Sequence, residues 1–195
     1  AGCGSRMQSD RPKQYLPLGQ SKQTVLQTTV LALLDVPKID GIYVAVSPED
    51  EYAETLAIPA AVLRTGGKTR AETVYQTLEA LSDTIADDDL VLVHDAARPF
   101  VQPQDVSNLI VRTQKGIEEG MCAGMVLAVP VWDTVKRVDE KGLLVEDVER
   151  NGLMRIATPQ CFPYRQLKSA LAGNLEATDE SSAMRDAGYA VGVFE

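Results

Sequence analysis

The first residues, AGCGSRMQSDRPKQYL, set Gly2 and Gly4 close to Arg6, Arg11 and Lys13. Glycines let a backbone approach a ligand and point N–H groups at an anion, while Arg and Lys add full charges. The chemistry open to such a set is phosphate binding. A dinucleotide fold wants a third glycine where Met7 stands, and a P-loop wants Gly-Lys-Ser/Thr, so neither common fingerprint fits. By itself the loop is most simply a tight turn with solvated cations.

A second glycine turn, RTGGKTRAETV, places Gly66 and Gly67 just ahead of Thr69, Arg70 and Thr73. N–H groups and hydroxyls at such a helix start can read the edge of a base, although Thr69 also suits a plain N-cap. In VLVHDAARPF, Asp95 follows an apolar run and Ala96 and Ala97 keep the space beside it small. Asp95 can hold a metal or a substrate hydroxyl, and Arg98 a phosphate or a hydroxyl. His94 is the sole histidine, so no histidine-based triad or multi-histidine metal site can be built. It reads as a structural residue.

Elements that would position these groups follow from periodicity. TVLQTTVLALL (24–34) has near-helical apolar spacing with Pro37 beyond it, and TRAETVYQTLEALSDT is amphipathic through Val74, Leu78 and Leu81. A further helix is expected from Pro103 to about Glu119. GIYVAVS (41–47), Leu90 to Val93 and GMVLAVP read as strands, the second apolar throughout, as in a strand buried on both faces of a parallel sheet. Strands alternating with helices predict an α/β fold with a mostly parallel sheet, whose ligands sit beyond the carboxyl ends of the strands. Residues 131–157 break the rhythm with alternating polar and apolar residues around Asp139-Glu140-Lys141-Gly142, a hairpin that projects as an arm.

At 195 residues, 45% hydrophobic and 24% charged, the chain suits one domain, 1–195. Asp and Glu outnumber Lys and Arg 28 to 19, for a net charge of -9. That field repels nucleic acid but leaves room for a small anion held by local cations. Cys3, Cys122 and Cys161 are odd in number and lack CxxC spacing, which fits a reducing cytoplasm. No apolar run is long enough for a membrane span. An opening glycine loop and a strand-like YAVGVFE at the end predict a chain trimmed at both ends.

AGCGSRM…PKQYL, GGKTRAETV, VHDAARP, PVWDTVKR, RNGLMRIATPQ and ATDESSAM occur in the order and at the spacing of the motifs of 2-C-methyl-D-erythritol 4-phosphate cytidylyltransferases, and the sequence resembles that family over nearly its whole length. The resemblance implies a Rossmann-like nucleotidyltransferase fold and cytidylyl transfer from CTP to methylerythritol phosphate with Mg2+ and release of pyrophosphate. It implies that the loop at Ala1, Gly2 and Gly4 cradles the triphosphate, with Arg6 and Lys13 stabilising the transition state at the α-phosphorus. Gly66, Gly67 and Thr73, which stands where the family has Ser, would recognise cytosine, with Arg70, Asp95 and Ala96 completing the nucleotide site.

By the same resemblance, Asp95 places the metal and binds substrate, and Arg98, Thr134 and Thr158 contact the polyol phosphate. Arg150 would arrive from the arm of a partner in a homodimer. The family's N-x-K-V-T segment does not occur in this sequence. The chemistry is consistent with these residue types. The attacking phosphate is mostly dianionic near neutral pH, its second pKa being about 6, so cations are needed and a general base is not. Two alternatives stand beside this reading: a ribitol 5-phosphate cytidylyltransferase, which differs mainly in the polyol pocket, and a non-catalytic nucleotide-binding homologue.

Overall fold

The computed structural model describes residues 11–195. Helix α1 (Val25–Leu34) starts at a capping box: Thr24 Oγ1 accepts from Gln27 N at 3.2 Å, and Gln27 Oε1 accepts from Thr24 N at 2.9 Å. This reciprocal pair satisfies donors that a helix start leaves open. Leu26 and Val30 of α1 then pack with Val44 and Val46 in a core around β1 (Tyr43–Ala45), which pairs in parallel with β2 (Ala61–Leu63).

Helix α2 (Arg70–Ala80) leads to β3 (Leu90–Val93), helix α3 (Pro103–Glu118) and β4 (Met125–Pro130). Beyond the arm come β7 (Met154–Pro163), α4 (Tyr164–Gly173), α5 (Glu180–Asp186) and β8 (Gly192–Phe194). The main sheet has the order β3-β7-β4-β8. Strand β7 is antiparallel to β3 and to β4, while β8 is parallel to β4. Three strands of this sheet thus share one direction and β7 opposes them, within the mostly parallel α/β architecture that the sequence predicts.

The apolar run of β3 is covered on both faces. Leu90 and Leu92 pack toward Val106 and Ile110 of α3, and Val91 and Val93 pack toward Leu167 and Leu171 of α4 and Met184 of α5. That two-sided burial is why its residues do not alternate with polar ones.

Strand β7 is longer than the sequence suggests. Pro159 lies inside it, and a proline normally demotes a central strand. The structure accommodates it with a bulge: Val126 pairs with Gln160, but Ala128 pairs with Ile156. Residues 157–159 therefore oppose Leu127 alone, and the ladder hydrogen bond that Pro159 cannot make is not required there. The peptide between Thr158 and Pro159 is cis.

The arm is a two-stranded antiparallel ribbon, β5 (Val135–Val138) and β6 (Leu144–Val148). Gly142 turns it with φ 81°, a conformation that suits glycine. Of the expected arm of 131–157, residues 154–157 belong to β7 instead, and 154–156 pair with β4.

Candidate active site

Asp95 leaves the carboxyl end of β3, and its two oxygens are claimed by different arginines. Arg98 Nε donates to Oδ2 at 2.8 Å, and Arg70 Nε donates to Oδ1 at 3.3 Å. Burial by itself would raise the Asp95 pKa, but the Arg98 hydrogen bond and the charges of Arg70 and Arg98 outweigh it and hold the carboxyl below its usual range. Asp95 is therefore ionised at neutral pH. Arg70 reaches it from the first position of α2, after the N-cap Thr69, whose hydroxyl accepts from Glu72 N at 3.0 Å.

Thr158, in the β7 bulge, accepts from the Asp95 backbone N–H at 3.2 Å. His94 links it to the same loop: Nδ1 lies 2.9 Å from the Thr158 hydroxyl, and Nε2 lies 3.0 Å from the Arg98 carbonyl. Burial lowers the His94 pKa, so the ring is neutral. His94, Arg98 and Thr158 border an open cavity of about 530 Å³ whose wall continues through Leu18, Val25 and Phe100. On the loop's other side, the buried Thr29 hydroxyl of α1 donates to the Ala96 carbonyl at 2.9 Å. The DAARP segment is thus held by α1, α2 and β7 together.

At the Gly66-Gly67 turn the structure corrects one expectation. Gly66 N–H goes to the Val46 carbonyl at 2.8 Å, Gly67 N–H to Thr73 Oγ1 at 3.0 Å and Lys68 N–H to Glu72 Oε2 at 2.5 Å. The Thr73 hydroxyl donates to the Thr69 carbonyl at 2.9 Å. The donors expected to read a base edge are thus used to build the turn. Carbonyls can still accept from an amino group, since each has two lone pairs. A Cβ at Gly67 would meet Glu72 Cβ at 2.8 Å, so the turn needs glycine for closeness.

Lys13 is exposed at the start of a 3-10 turn, Lys13–Tyr15. The turn is anchored by Tyr15, 5% exposed, whose hydroxyl donates to Asp50 Oδ2 at 2.6 Å. Asp50 Oδ1 also accepts from Tyr52 N and Ala53 N. Ala1, Gly2, Gly4 and Arg6 lie outside the described residues. Thr134 is exposed ahead of β5, and Arg150 Nη1 donates to the Trp132 carbonyl at the base of the arm. The structure thus brings Arg70, Asp95, Arg98 and Thr158 into one bonded cluster, with Gly66, Gly67 and Thr73 adjoining through α2. Thr134 and Arg150 stand apart on the arm.

Sequence reasoning missed Glu180. Its side chain is 0% exposed, and Oε1 lies 2.5 Å from Arg70 Nη1. Oε2 is buried without a hydrogen-bond partner. Burial pushes the Glu180 pKa up, with the Arg70 charge working against that push. Its spacing to Ala183 and Met184, both buried, places it on the inner face of α5; that i, i+3, i+4 pattern was the available signal.

Among the described residues no group of three or more His, Cys, Asp or Glu side chains could hold a metal, and no helix is long and apolar enough to cross a membrane. Mg2+ commonly takes one or two carboxylates together with substrate phosphates. Asp95 fits that pattern, because a carboxylate has about four lone-pair positions and two are used by the arginines.

The model for the family described as "IspD: 2-C-methyl-D-erythritol 4-phosphate cytidylyltransferase" matches residues 1–195. A protein of Alteromonas mediterranea with that enzyme name is 45% identical over 198 residues, covering 98% of this chain and 79% of the relative. One of that name from Haemophilus influenzae is 41% identical over 194 residues, covering 97% and 81%. Among solved structures, a 4-diphosphocytidyl-2C-methyl-D-erythritol synthase superposes with a TM-score of 0.84 at 36% identity, covering 94% of this chain and 85% of that one. The Francisella tularensis 2-C-methyl-D-erythritol 4-phosphate cytidylyltransferase does so with 0.81 at 32% identity, covering 100% and 86%.

Proposed function

Because the chain belongs to the 2-C-methyl-D-erythritol 4-phosphate cytidylyltransferase family, we propose that it transfers the cytidylyl group of CTP to the phosphate of methylerythritol phosphate, in the non-mevalonate route to isoprenoids. An oxygen of the substrate phosphate forms a bond to the α-phosphorus of CTP. The bond from that phosphorus to the bridging oxygen breaks, and pyrophosphate leaves with the electron pair. The single observation that carries the assignment of roles is Asp95, held between Arg70 and Arg98 beside Thr158.

The nucleophile is already an anion, so the protein's task is positioning and charge neutralisation. Lys13 and Arg6 serve the α-phosphate, where negative charge accumulates. Arg98, half-exposed, turns toward the polyol phosphate, while Asp95 accepts from a polyol hydroxyl. The carbonyls of the Gly66-Gly67 turn accept from the 4-amino group of cytosine; Thr73 keeps that turn in place, and Arg70 keeps Asp95 in place. Asp95 would also hold Mg2+, which when bound would neutralise phosphate charge.

The arm supports a homodimer. Val138, Leu143, Leu144 and Val145 are each more than half exposed, and apolar side chains displayed together on a projecting ribbon suit docking of a second copy of the chain. Arg150 at its base then works in the partner's site, together with Thr134. Cys122 and Cys161 are free thiols, which suits a reducing cytoplasm.

Pyrophosphate release from CTP and Mg2+ tests the assignment, with methylerythritol phosphate and ribitol 5-phosphate offered separately and in competition. Preferred turnover of the first is the expected result. Preferred turnover of ribitol 5-phosphate would move the substrate to the other polyol, and CTP binding without turnover of either would leave a binding protein.

A further inference from the structure

Glu180 has no part in the reaction as proposed, yet among the described residues it is the one charged side chain in the buried core. A buried carboxylate with an unpartnered oxygen is costly, and an apolar residue beside Ala183 and Met184 would avoid that cost. Stability alone therefore gives no reason for a carboxylate at this position. Its bond to Arg70 does have a consequence: the Arg70 guanidinium is stretched between Glu180 at Nη1 and Asp95 at Nε.

The far side of this bridge is fastened as well. Asp179 caps α5, accepting from Ser182 N at 2.8 Å. Gln160 of β7, 1% exposed, donates to Asp179 at 3.0 Å and accepts from Ser181 N at 2.8 Å. Glu180 is thus held rigidly against the sheet, and Arg70 is held against Glu180. Without that anchor, Asp95 is free to turn both oxygens toward Arg98, whose side chain is 54% exposed.

We propose that Glu180 is a positioning residue that acts through Arg70 to fix the Asp95 carboxylate for the polyol phosphate. This rests on the reading of Asp95 as a substrate ligand given above. With Arg70 anchored, Oδ1 and Oδ2 stay on separate arginines, and the remaining lone pairs keep one direction. The nucleotide site at Lys13 and the Gly66-Gly67 turn is not part of this relay.

The test uses purified full chain with CTP, Mg2+ and methylerythritol phosphate, after turnover by the unaltered protein has been established; failure of that control concerns the function and not Glu180. Glu180→Ala should lower kcat/KM for the polyol phosphate about 100-fold, the scale of a reacting group misplaced by an ångström. Glu180→Gln, which keeps volume and an acceptor for Arg70 but weakens a charge-assisted bond, should lower it less, with the KM for CTP unchanged. Since the effect runs through Arg70, Glu180→Gln should add little to Arg70→Gln, a non-additivity expected of residues in one network. The proposal is overturned if Glu180→Gln lowers only the melting temperature, if it raises the KM for CTP and polyol phosphate alike, if its effect adds fully to that of Arg70→Gln, or if it does not fold.

Discussion

The Thr158 hydroxyl and His94 Nδ1 meet at 2.9 Å although they lie 64 residues apart, and the donor in this pair is determined by a third group. His94 Nε2 faces the Arg98 carbonyl, which can only accept, so Nε2 carries the ring proton and Nδ1 is an acceptor. Thr158 must then donate to His94. Its oxygen already accepts from Asp95 N–H, which leaves one lone pair to offer a ligand. Thr158 consequently faces the cavity as an acceptor suited to a polyol hydroxyl and unsuited to a phosphate oxygen.

Thr158→Val keeps the shape and removes this acceptor. The Asp95 N–H loses its partner, at a cost of about 1–3 kcal/mol for a group left unsatisfied. The KM for the polyol phosphate should rise while the KM for CTP stays near its original value, with a lowered melting temperature. Steady-state kinetics with each substrate varied in turn checks this, and an equal rise in both KM values would contradict it.

Replacing Lys13 or Arg6 with Ala should reduce kcat by about two orders of magnitude or more, as for loss of a strong electrostatic stabiliser. Binding of CTP should fall much less. Calorimetric titration of CTP beside turnover separates the two, and parallel losses would show that these cations serve ground-state binding.

Tyr15→Phe tests the anchor of the Lys13 turn through its pH dependence. Burial tends to raise the Asp50 pKa, but hydrogen bonds from Tyr15, Ala53 and Tyr52 and the charge of Arg64 bring it below its ordinary value. A carboxyl with a depressed folded pKa contributes stability that is present above its unfolded value and lost as pH falls through the folded one. The variant should therefore be less stable by about 1 kcal/mol near neutral pH, and the difference should shrink below about pH 4, the unfolded value. Urea melts across the acid range measure it; a difference that does not change with pH would remove Asp50 from the account.

A Lys13→Ala chain and an Arg150→Ala chain should each be nearly inactive alone. If Arg150 works in the partner's site, subunit exchange makes half the dimers hybrid, and each hybrid has one site with both defects and one with neither. About a quarter of all sites should then recover, by the symmetry of a two-fold dimer. Exchange verified by mass spectrometry without recovered activity would place Arg150 in its own chain's site or outside the reaction.

The sequence alone determined what depends on neighbours along the chain. Apolar spacing over 24–34 specified a helix, Gly142 a hairpin turn, and the unbroken apolar run at Leu90 to Val93 a strand covered on both faces. The same apolar run also placed Asp95 past a strand end, where ligands of α/β sheets gather. Tertiary structure alone decided what β7 does, because Pro159 argues locally against a central strand and only pairing with β3 and β4 creates the bulge that admits it and aims Thr158 at His94. It also decided the partner of Glu180. Periodicity put that residue on the inner face of α5, but a side chain 110 positions away in sequence is what makes a buried carboxylate tolerable. Spacing along one element records which face is covered, whereas the charge waiting on the other side is set by how separate elements pack.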